Sequence, residues 1–402
     1  MIRIKMLKTV SLFSGCGGLD LGITGGFDFM GRTYHKNNFE IVFANDLDKD
    51  ALATYSKNSN YLNSEHLVAG DIRGVDVNTI PYFDVLLAGF PCQPFSNAGN
   101  RKGVQDNNGR GTLWEECEKI IQHAMNDFEE KPKAFVFENV RGIISSKMPN
   151  GKSVPDEIKE RMENLGYNVS MKLVKASDYG VPQNRYRFLI IGIREDLGFF
   201  DFSALNEVVK EHNLPNAERD YYELLLGYVL STITDDIPQQ NEYWKYSPQG
   251  QKMVDMIGAC EDGKATLKKF REKLPLDKIS KTISTGRSWK NIAPDDLPDR
   301  FRKIYDDPKR YHAPNFYRRF ALGEIAGTIT ASAQPENCGI THPFENRRFS
   351  IREVARIQSF PDDFKFPYKS INGAYKVIGN AVPPVLGWVI AQALQKHLEV
   401  KK

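Results

Sequence analysis

The chain has 402 residues, of which 41% are hydrophobic and 26% charged, and its formal net charge is +3. This length and composition indicate an ordinary globular protein with two or three domains and a large core. No apolar run approaches the roughly 20 residues of a membrane-spanning helix, and the apolar run near the N-terminus is too short for a secretory signal. We therefore expect a cytoplasmic protein without a membrane segment.

Short β-rich runs alternate with helical patterns through the first half of the chain. In order, the runs are TVSLF (9–13), IVFAN (41–45), FDVLLAGF (83–90), AFVFEN (134–139) and RFLIIGI (187–193). Amphipathic segments such as DLDKDALATYSKN and TLWEECEKIIQHAMNDFEE lie between them. Apolar strands separated by amphipathic helices predict an α/β fold whose sheet is mostly parallel and has helices on both faces.

The helix predicted after residue 111 has further signals. Thr112 followed by Glu115 predicts a capping box at its N-terminus. Apolar residues recur from Leu113 to Phe128 at helical spacing, so Cys117 among them is expected in the core.

Glycine and polar residues follow the predicted strands directly. The loop 14–18 follows TVSLF, Asp46 follows IVFAN, the nucleophile candidate Cys92 follows FDVLLAGF, and Glu138 follows AFVF. Ligands of an open α/β sheet bind beyond the carboxyl ends of its strands. We therefore expect the chemistry at this edge, although any one of these residues could instead belong to a turn or a cap.

The glycine loop indicates an adenosine-bearing cofactor. It departs from the dinucleotide fingerprint because Asp20 occupies the third glycine position of G-x-G-x-x-G, which disfavours a nicotinamide dehydrogenase. A helix N-terminus on this loop would still favour a carboxylate or phosphate, and Asp46 could hold ribose hydroxyls. S-adenosylmethionine has a carboxylate and a ribose without a pyrophosphate, so it fits both features.

A cysteine beside a methyl donor has a specific chemical use. The thiolate of Cys92 adding to carbon 6 of cytosine would make carbon 5 able to attack a methyl group. Glu138 could share a proton with ring nitrogen 3, which is general acid work. Pro91 and Pro94 would restrict the backbone on either side of Cys92.

The other cysteines and the histidines point to no metal. The five cysteines are odd in number and no two form a C-x-x-C pair, which argues against a disulfide framework and a zinc site. The seven histidines show no metal-ligand spacing. We expect no bound metal.

Positive charge is concentrated late in the chain. Residues 262–320 contain 16 Lys/Arg and 8 Asp/Glu, hence +8, which leaves −5 for the rest of the chain. Aromatic residues are interleaved with these cations, at Trp289, Phe301, Tyr305, Tyr311, Phe316 and Tyr317. This pattern is typical of a surface that binds nucleic acid, although a solvated basic face would have the same composition.

Two helical segments follow the basic region. In RRFSIREVARIQSFPDDF, Ile351, Val354, Ala355 and Gln358 share one helical face. AVPPVLGWVIAQALQKHL predicts an amphipathic helix that begins at proline and returns to the first domain.

Nine short blocks together resemble one family. In order they are FSGCGGLDLG, NDLD, GDI, GFPCQPFSNAG, GTLWEE, ENV, QNRYR, RRFSIREVARIQSFPDDF and YKVIGNAVPP, from Phe13 to Pro384. The chain is similar in these blocks to DNA (cytosine-5) methyltransferases of the type that accompanies bacterial restriction systems. Each block is weak alone, whereas nine in the family's order are highly specific.

The resemblance implies roles at the reacting base. Cys92 would be the nucleophile, and Glu138 would engage ring nitrogen 3 and the exocyclic amine of cytosine. Arg187 would hold the carbonyl oxygen of the ring, and Arg185 would support the site or a nearby phosphate.

The resemblance also implies a site for S-adenosylmethionine, which would leave as S-adenosylhomocysteine. Phe13 would pack on the adenine, Asp46 would bind the ribose and Asp71 the adenine amine. The remaining cofactor residues would be Gly15, Gly17 and Leu19 at the methionine end, Asn380 on the C-terminal side, and Ile72, Pro91 and Val382. Leu47 stands where family members often have an aromatic residue, so adenine stacking would depend more on Phe13.

Two domains and a DNA surface are implied as well. Residues 1–198 and 373–402 would form the catalytic domain, and residues 199–372 a small domain with a target recognition region at about 200–345. That region lacks a family block and contains the basic stretch, so we expect it to contact duplex DNA. The candidate DNA-binding residues are Gln93 and Ser96 beside the nucleophile, and Arg287, Lys290, Lys309, Arg310, Arg318 and Arg319 in the basic stretch.

Further expectations concern partners and alternatives. We expect a bacterial or phage enzyme that acts as a monomer, with a separate cognate restriction endonuclease as its possible companion. The target cytosine has to leave the duplex to be reached. An RNA (cytosine-5) methyltransferase and an inactive DNA-binding protein remain alternatives, the former disfavoured by about 140 residues of basic insertion and the latter by the presence of Cys92, Glu138 and Arg187 together.

Overall fold

The structure, a computed structural model, describes residues 5–91, 112–258, 263–279, 286–307, 316–334 and 339–399. Its strands are β1 Leu7–Leu12, β2 Phe27–Phe29, β3 Arg32–Tyr34, β4 Phe39–Asp46, β5 Leu67–Ala69, β6 Val85–Ala88, β7 Ala134–Val140, β8 Tyr167–Lys175, β9 Gln183–Asn184, β10 Tyr186–Arg194 and β11 Ala326–Gly327. Its α-helices are α1 Gly18–Thr24, α2 Lys49–Lys57, α3 Trp114–Asp127, α4 Val154–Asn164, α5 Ser203–Glu211, α6 Leu226–Ser231, α7 Pro248–Ile257, α8 Gly263–Arg271, α9 Leu276–Ile279, α10 Asp299–Asp306, α11 Ile351–Ile357, α12 Ile371–Asn380 and α13 Pro384–Glu399.

The main sheet positions the site. Within the described residues it has seven strands in the order β5-β4-β1-β6-β7-β10-β8. Strands β5, β4, β1, β6 and β7 are parallel to one another, whereas β10 is antiparallel to both β7 and β8. The order reverses at β1, which lies between β4 and β6, and such a reversal opens a crevice beyond the carboxyl ends of the strands.

The predicted α/β fold with a mostly parallel sheet is confirmed. All five β-rich runs are strands, namely β1, β4, β6, β7 and β10. The run RFLIIGI forms β10, which is antiparallel to its neighbours. Its direction could not be predicted, because an apolar strand buried on both faces has the same composition in either direction. Strand β8 escaped the sequence analysis because it lies at the edge of the sheet and mixes Lys172 and other polar residues with apolar ones.

Hydrophobic cores lie on both faces of the sheet. On one face, α3 and α4 pack on the side chains of Val10, Leu86 and Phe137. Cys117 is fully buried there, as predicted. The predicted capping box of Thr112 and Glu115 is wrong, because α3 begins at Trp114 and its N-cap residue is Leu113, which makes no side-chain cap hydrogen bond. Trp114 is fully buried, so the first turn of the helix packs into this core.

The other face is covered by α1 and α13. Their backbones are in contact, since a methyl group built on Gly22 would lie 2.7 Å from the Cα of Gly387. The predicted return of the C-terminal helix to the first domain is therefore confirmed. The stretch Ile371–Glu399 is long and apolar enough to cross a membrane, but 89% of its apolar window is buried inside the protein, as in a core helix.

The core does not stop at the predicted domain boundary. Leu205 and Val208 of α5 belong to the same hydrophobic cluster as Leu386 of α13. A separate small cluster contains Trp289 and Phe301. The division at residues 199 and 373 remains a prediction.

Candidate active site

The glycine loop after β1 is held to the end of β4. Phe13, Gly15 and Gly17 all have left-handed backbone angles, with φ of 56°, 57° and 82°. The amide of Gly15 donates to Asp46 Oδ2 at 2.7 Å. A methyl group built on Gly15 would meet no atom within 4 Å, so the loop leaves open space at this point.

Asp46 ends β4 with both carboxylate oxygens in use. Oδ1 accepts from the amide of Asp48 at 2.7 Å while Oδ2 accepts from Gly15. Burial raises the pKa of Asp46 above its usual range, although these amides oppose the shift. Each carboxylate oxygen has a second lone pair, so Asp46 can still accept hydrogen bonds from the hydroxyls of a ligand.

The segment 376–382 packs against this loop from the C-terminal side. Val382 O would lie 2.4 Å from a methyl group built on Gly18, so the two backbones touch. Lys376 forms an ion pair with Asp48, which caps α2. Asn380 ends α12 and is exposed. The structure thus brings two blocks from opposite ends of the chain together.

Three of the predicted cofactor residues have other contacts. Asp71 caps the 3-10 helix Ile72–Gly74 and forms an ion pair with Arg73 at 2.5 Å, which lowers the pKa of Asp71. Ile72 is buried in the core with Val10. The side chain of Leu19 is buried and packs toward Gly387 of α13 rather than toward the loop.

Glu138 and Arg187 form a buried ion pair at the strand edge, the active-site edge of the sheet where β7 ends and β10 begins. They extend from β7 and β10, where Glu138 pairs in register with Leu189 and Val140 with Arg187. Their side chains are only 10% and 7% exposed. Burial raises the pKa of Glu138 above its usual range, and Arg187 opposes that shift. A carboxyl group in this environment is suited to hold or donate a proton.

The end of β6 meets the acid and the glycine loop. A methyl group built on Gly89 would lie 3.6 Å from Glu138 Oε2 and 3.9 Å from the carbonyl oxygen of Phe13. Asn139 Nδ2 donates to the carbonyl oxygen of Phe90 at 3.2 Å. Pro91 is partly buried and is the last described residue of this segment. Cys92, Gln93 and Ser96 lie outside the described residues.

Arg185 has a different place from Arg187. It is 1% exposed, and its guanidinium donates to the carbonyl oxygens of Ile329, Gly379 and Ala381 at 2.7, 2.8 and 3.2 Å. Support of the site fits these contacts, whereas the expected contact with a phosphate does not, because the guanidinium is buried among carbonyls.

Two glutamines complete this buried polar cluster. Gln183 Nε2 donates to Gln358 Oε1 at 2.6 Å, and Gln358 Nε2 donates to Ala381 O at 2.5 Å. Gln183 was passed over in the sequence, and Gln358 was assigned only to a helical face. Only their positions within the blocks QNRYR and RIQSF could have identified them in the sequence, because a single buried glutamine produces no periodic pattern.

The basic stretch divides into core and surface. Arg319 is fully buried and donates to His342 O, Glu345 O and Val254 O, so its assignment as a DNA contact is wrong. Arg318 is partly exposed, pairs with Glu324 at 2.6 Å and lies 5.0 Å from the ring centroid of Phe320. Arg287 and Lys290 are exposed. Lys309 and Arg310 lie outside the described residues.

Most of the described aromatic residues of this stretch form a core rather than a surface, and Tyr311 lies outside the described residues. Trp289, Phe301 and Tyr317 are buried together with residues of α7. Tyr305 is 48% exposed. The alternation of cations and aromatic rings therefore reflects the packing of a small hydrophobic core at least as much as a surface that binds nucleic acid.

This sheet, with its glycine loop and strand-edge carboxylates, has the mixed α/β fold of S-adenosylmethionine-dependent methyltransferases. Among solved structures, the fold is similar to that of an E. coli protein described as a prophage-encoded DNA modification methyltransferase (TM-score 0.58, 22% identity, 98% of this chain and 99% of that chain). It is also similar to the S. pombe Dnmt2 methyltransferase (TM-score 0.51, 13% identity, 98% and 99%). At these identities the comparisons show the fold alone.

The sequence profile of the family described as "C-5 cytosine-specific DNA methylase" matches residues 7–396, and the chain belongs to that family. It is 31% identical to the Type II methyltransferase M.FnuDI of Fusobacterium nucleatum, over 98% of this chain and 96% of that protein. It is 32% identical to M.NgoPII of Neisseria gonorrhoeae, with the same coverage. The protein is therefore a DNA (cytosine-5) methyltransferase of the bacterial restriction-modification type, and its family and fold imply S-adenosylmethionine as methyl donor.

Proposed function

We propose that the protein methylates carbon 5 of a cytosine that leaves duplex DNA, within one short recognition sequence, through covalent addition of Cys92 to carbon 6. The observation that carries this proposal is the buried pair of Glu138 and Arg187 beside Gly89, three residues before Cys92. The same glycine adjoins Phe13 of the loop that would hold the methyl donor.

Cys92 would act as the nucleophile. Its thiolate attacks carbon 6, and the electron pair of the carbon 5–carbon 6 double bond becomes available at carbon 5. Bound S-adenosylmethionine supplies the methyl group that carbon 5 takes up and leaves as S-adenosylhomocysteine. A water molecule then takes the proton from carbon 5, the carbon 5–carbon 6 double bond re-forms, and Cys92 leaves carbon 6 as a thiolate.

Glu138 and Arg187 would bind the ring of the flipped base. The raised pKa of Glu138 favours a carboxyl group that shares a proton with ring nitrogen 3, which stabilises the charge that develops on attack at carbon 6. Arg187 would donate to the carbonyl oxygen of the ring. Arg185 would act as a positioning residue, since it ties the start of β10 to the segment 379–381.

The methyl donor would lie along the glycine loop. Asp46 would accept from the ribose hydroxyls, Phe13 would cover the adenine, and the open space at Gly15 would admit the methionine end. The other proposed contacts are Gly17, Leu19 through its backbone, Asp71, Ile72, Pro91, Asn380 and Val382.

The DNA contacts and the biological setting are part of the same proposal. Gln93 and Ser96 would contact the DNA beside the nucleophile, and Arg287, Lys290, Lys309, Arg310 and Arg318 would contact it from the small domain. We propose a monomer that acts on cytoplasmic DNA and protects it from a separate cognate endonuclease.

Bisulfite sequencing tests the proposal. Plasmid DNA is isolated from cells that lack other cytosine methylation and express the wild type, Cys92→Ala or the control Cys117→Ala. We expect protected cytosines in one short motif with the wild type and the control, and none with Cys92→Ala. Protection that persists in Cys92→Ala would contradict the covalent route, and no protection with soluble wild-type protein would favour an RNA substrate or an inactive DNA-binding protein.

A further inference from the structure

Three side chains form a row across the active-site edge of the sheet, and none of them has a role in the proposed chemistry. Tyr186, the first residue of β10, pairs in register with Lys175, the last residue of β8. On the other side of β10, Arg187 pairs with Val140, and Arg141 follows directly. The row therefore runs from Arg141 through Tyr186 to Lys175.

The row is open to solvent and positively charged. Arg141 is exposed, Tyr186 is 40% exposed, and the guanidinium of Arg141 lies 5.7 Å from the ring centroid of Tyr186. Within the described residues, neither Arg141 nor Lys175 lies within ion-pair distance of a carboxylate, and the acidic group that acts on Lys175 is Asp178, whose pKa is raised by burial and lowered in part by the lysine charge. An arginine held against an aromatic ring keeps its N–H edge available for an anion.

The row adjoins the catalytic pair. Successive residues of a strand point to opposite faces, so Tyr186 is exposed while Arg187 beside it is buried against Glu138. Arg187 Nη1 also donates to the carbonyl oxygen of Tyr186 at 2.8 Å. An anion bound by the row would lie close to the point where Arg187 meets the base.

The row continues toward the small domain. Lys175 lines a cleft of about 370 Å³ together with Asn184, Tyr221 and Phe320. Arg318, one of the proposed DNA contacts, lies over the ring of Phe320. Glu324 also lines this cleft and pairs with Arg318, so the cleft joins the strand edge to the small domain, with Lys175 as its cation nearest the active site.

We propose that Arg141, Tyr186 and Lys175 bind the phosphodiester backbone of the DNA beside the flipped cytosine. The two cations would each neutralise a phosphate, and Tyr186 would orient Arg141 and donate its hydroxyl to a phosphate oxygen. This inference rests on the proposed function in that it assumes duplex DNA in the crevice.

The salt dependence of DNA binding tests it. The dissociation constant for a short fluorescent duplex is measured over a range of salt concentrations for the wild type, Arg141→Gln, Lys175→Gln, the double variant and Tyr186→Ala. Each lost phosphate contact lowers the slope of log affinity against log salt by about 0.9. We expect that decrease for each charge variant, about twice as much for the double variant, and a smaller one for Tyr186→Ala.

Lys172→Gln is the matched control, because Lys172 is an exposed lysine on the same strand that does not belong to the row. We expect it to keep the wild-type slope. Thermal unfolding of each variant excludes loss of the fold. Unchanged slopes in the Arg141 and Lys175 variants, with a wild type that methylates DNA, would overturn phosphate binding by the row and leave the proposed function standing. A wild type that binds DNA but does not methylate it would overturn the proposed function.

Discussion

The strand-edge site and the basic stretch 262–320 both looked functional in the sequence, yet they are built differently. At the strand edge, glycines and carboxylates from distant blocks meet around Gly89, within contact distance of Glu138 and Phe13. In the basic stretch, Arg319 and Trp289 are buried inside a small core. Order of motifs along the chain was a better guide to function than charge and aromatic content.

The largest effect is expected at the strand edge. Glu138→Gln should lower the methylation rate by about 10²- to 10⁴-fold, because the acid that stabilises attack at carbon 6 is lost. Transfer of a labelled methyl group to DNA measures it. Glu163→Gln, on the exposed side of α4, is the control and should keep the wild-type rate. Equal rates for both variants would remove Glu138 from the mechanism.

In the basic stretch, two arginines whose backbones are paired should behave oppositely. Arg319→Ala should lower the free energy of unfolding by about 3 kcal/mol, because buried carbonyls lose charged donors. Arg287→Ala should leave stability nearly unchanged but reduce the salt dependence of DNA binding, since Arg287 is exposed. Urea unfolding and DNA titration distinguish them, and a stable Arg319→Ala variant with weak DNA binding would reverse the assignment.

Beneath the glycine loop, Asp20 should make stability depend on pH. Asp20 is fully buried and accepts from Ser11 Oγ at 2.6 Å and from the hydroxyl of Tyr55 at 3.0 Å, and burial raises its pKa to about 6. The native state therefore binds this proton more tightly than the unfolded chain, and the stability from that proton is lost as pH rises from about 4 to about 6.

A shift of about two pKa units corresponds to about 3 kcal/mol. Asp20→Asn keeps an acceptor for Ser11 but removes the ionisation, so its urea midpoint should fall less than that of the wild type over this pH range. Asp277→Asn, an exposed control, should follow the wild type. Parallel curves for all three proteins would show that Asp20 does not titrate in this range.

The smallest effect on stability is expected at two glycines. Comparing their alanine variants distinguishes a loss of cofactor binding from backbone strain. Gly15 and Gly31 both have positive φ, and a methyl group on either would meet no atom within 4 Å. Alanine at either position should cost about 1 kcal/mol of stability through the left-handed backbone. Only Gly15→Ala should also weaken binding of S-adenosylmethionine, measured by calorimetry, because its methyl group enters the proposed cradle. Equal affinity in both variants would place the donor elsewhere.

Much of the fold was predictable because its signals are local. Apolar runs and amphipathic segments defined the strands β1, β4, β6, β7 and β10 and the helix α13. The edge strand β8 was missed because its exposed face interrupts the apolar run. Glu138 and Arg187 were both identified, but their ion pair depends on the register of an antiparallel strand, which no local pattern encodes.

The sequence by itself determined the fold class, the family and the order of the functional blocks, because these depend on residue types and spacings along the chain. The tertiary structure alone decided which charged side chains are buried. It placed Arg185 and Arg319 among carbonyls and left Arg141 at the surface, because burial depends on which distant segments pack together.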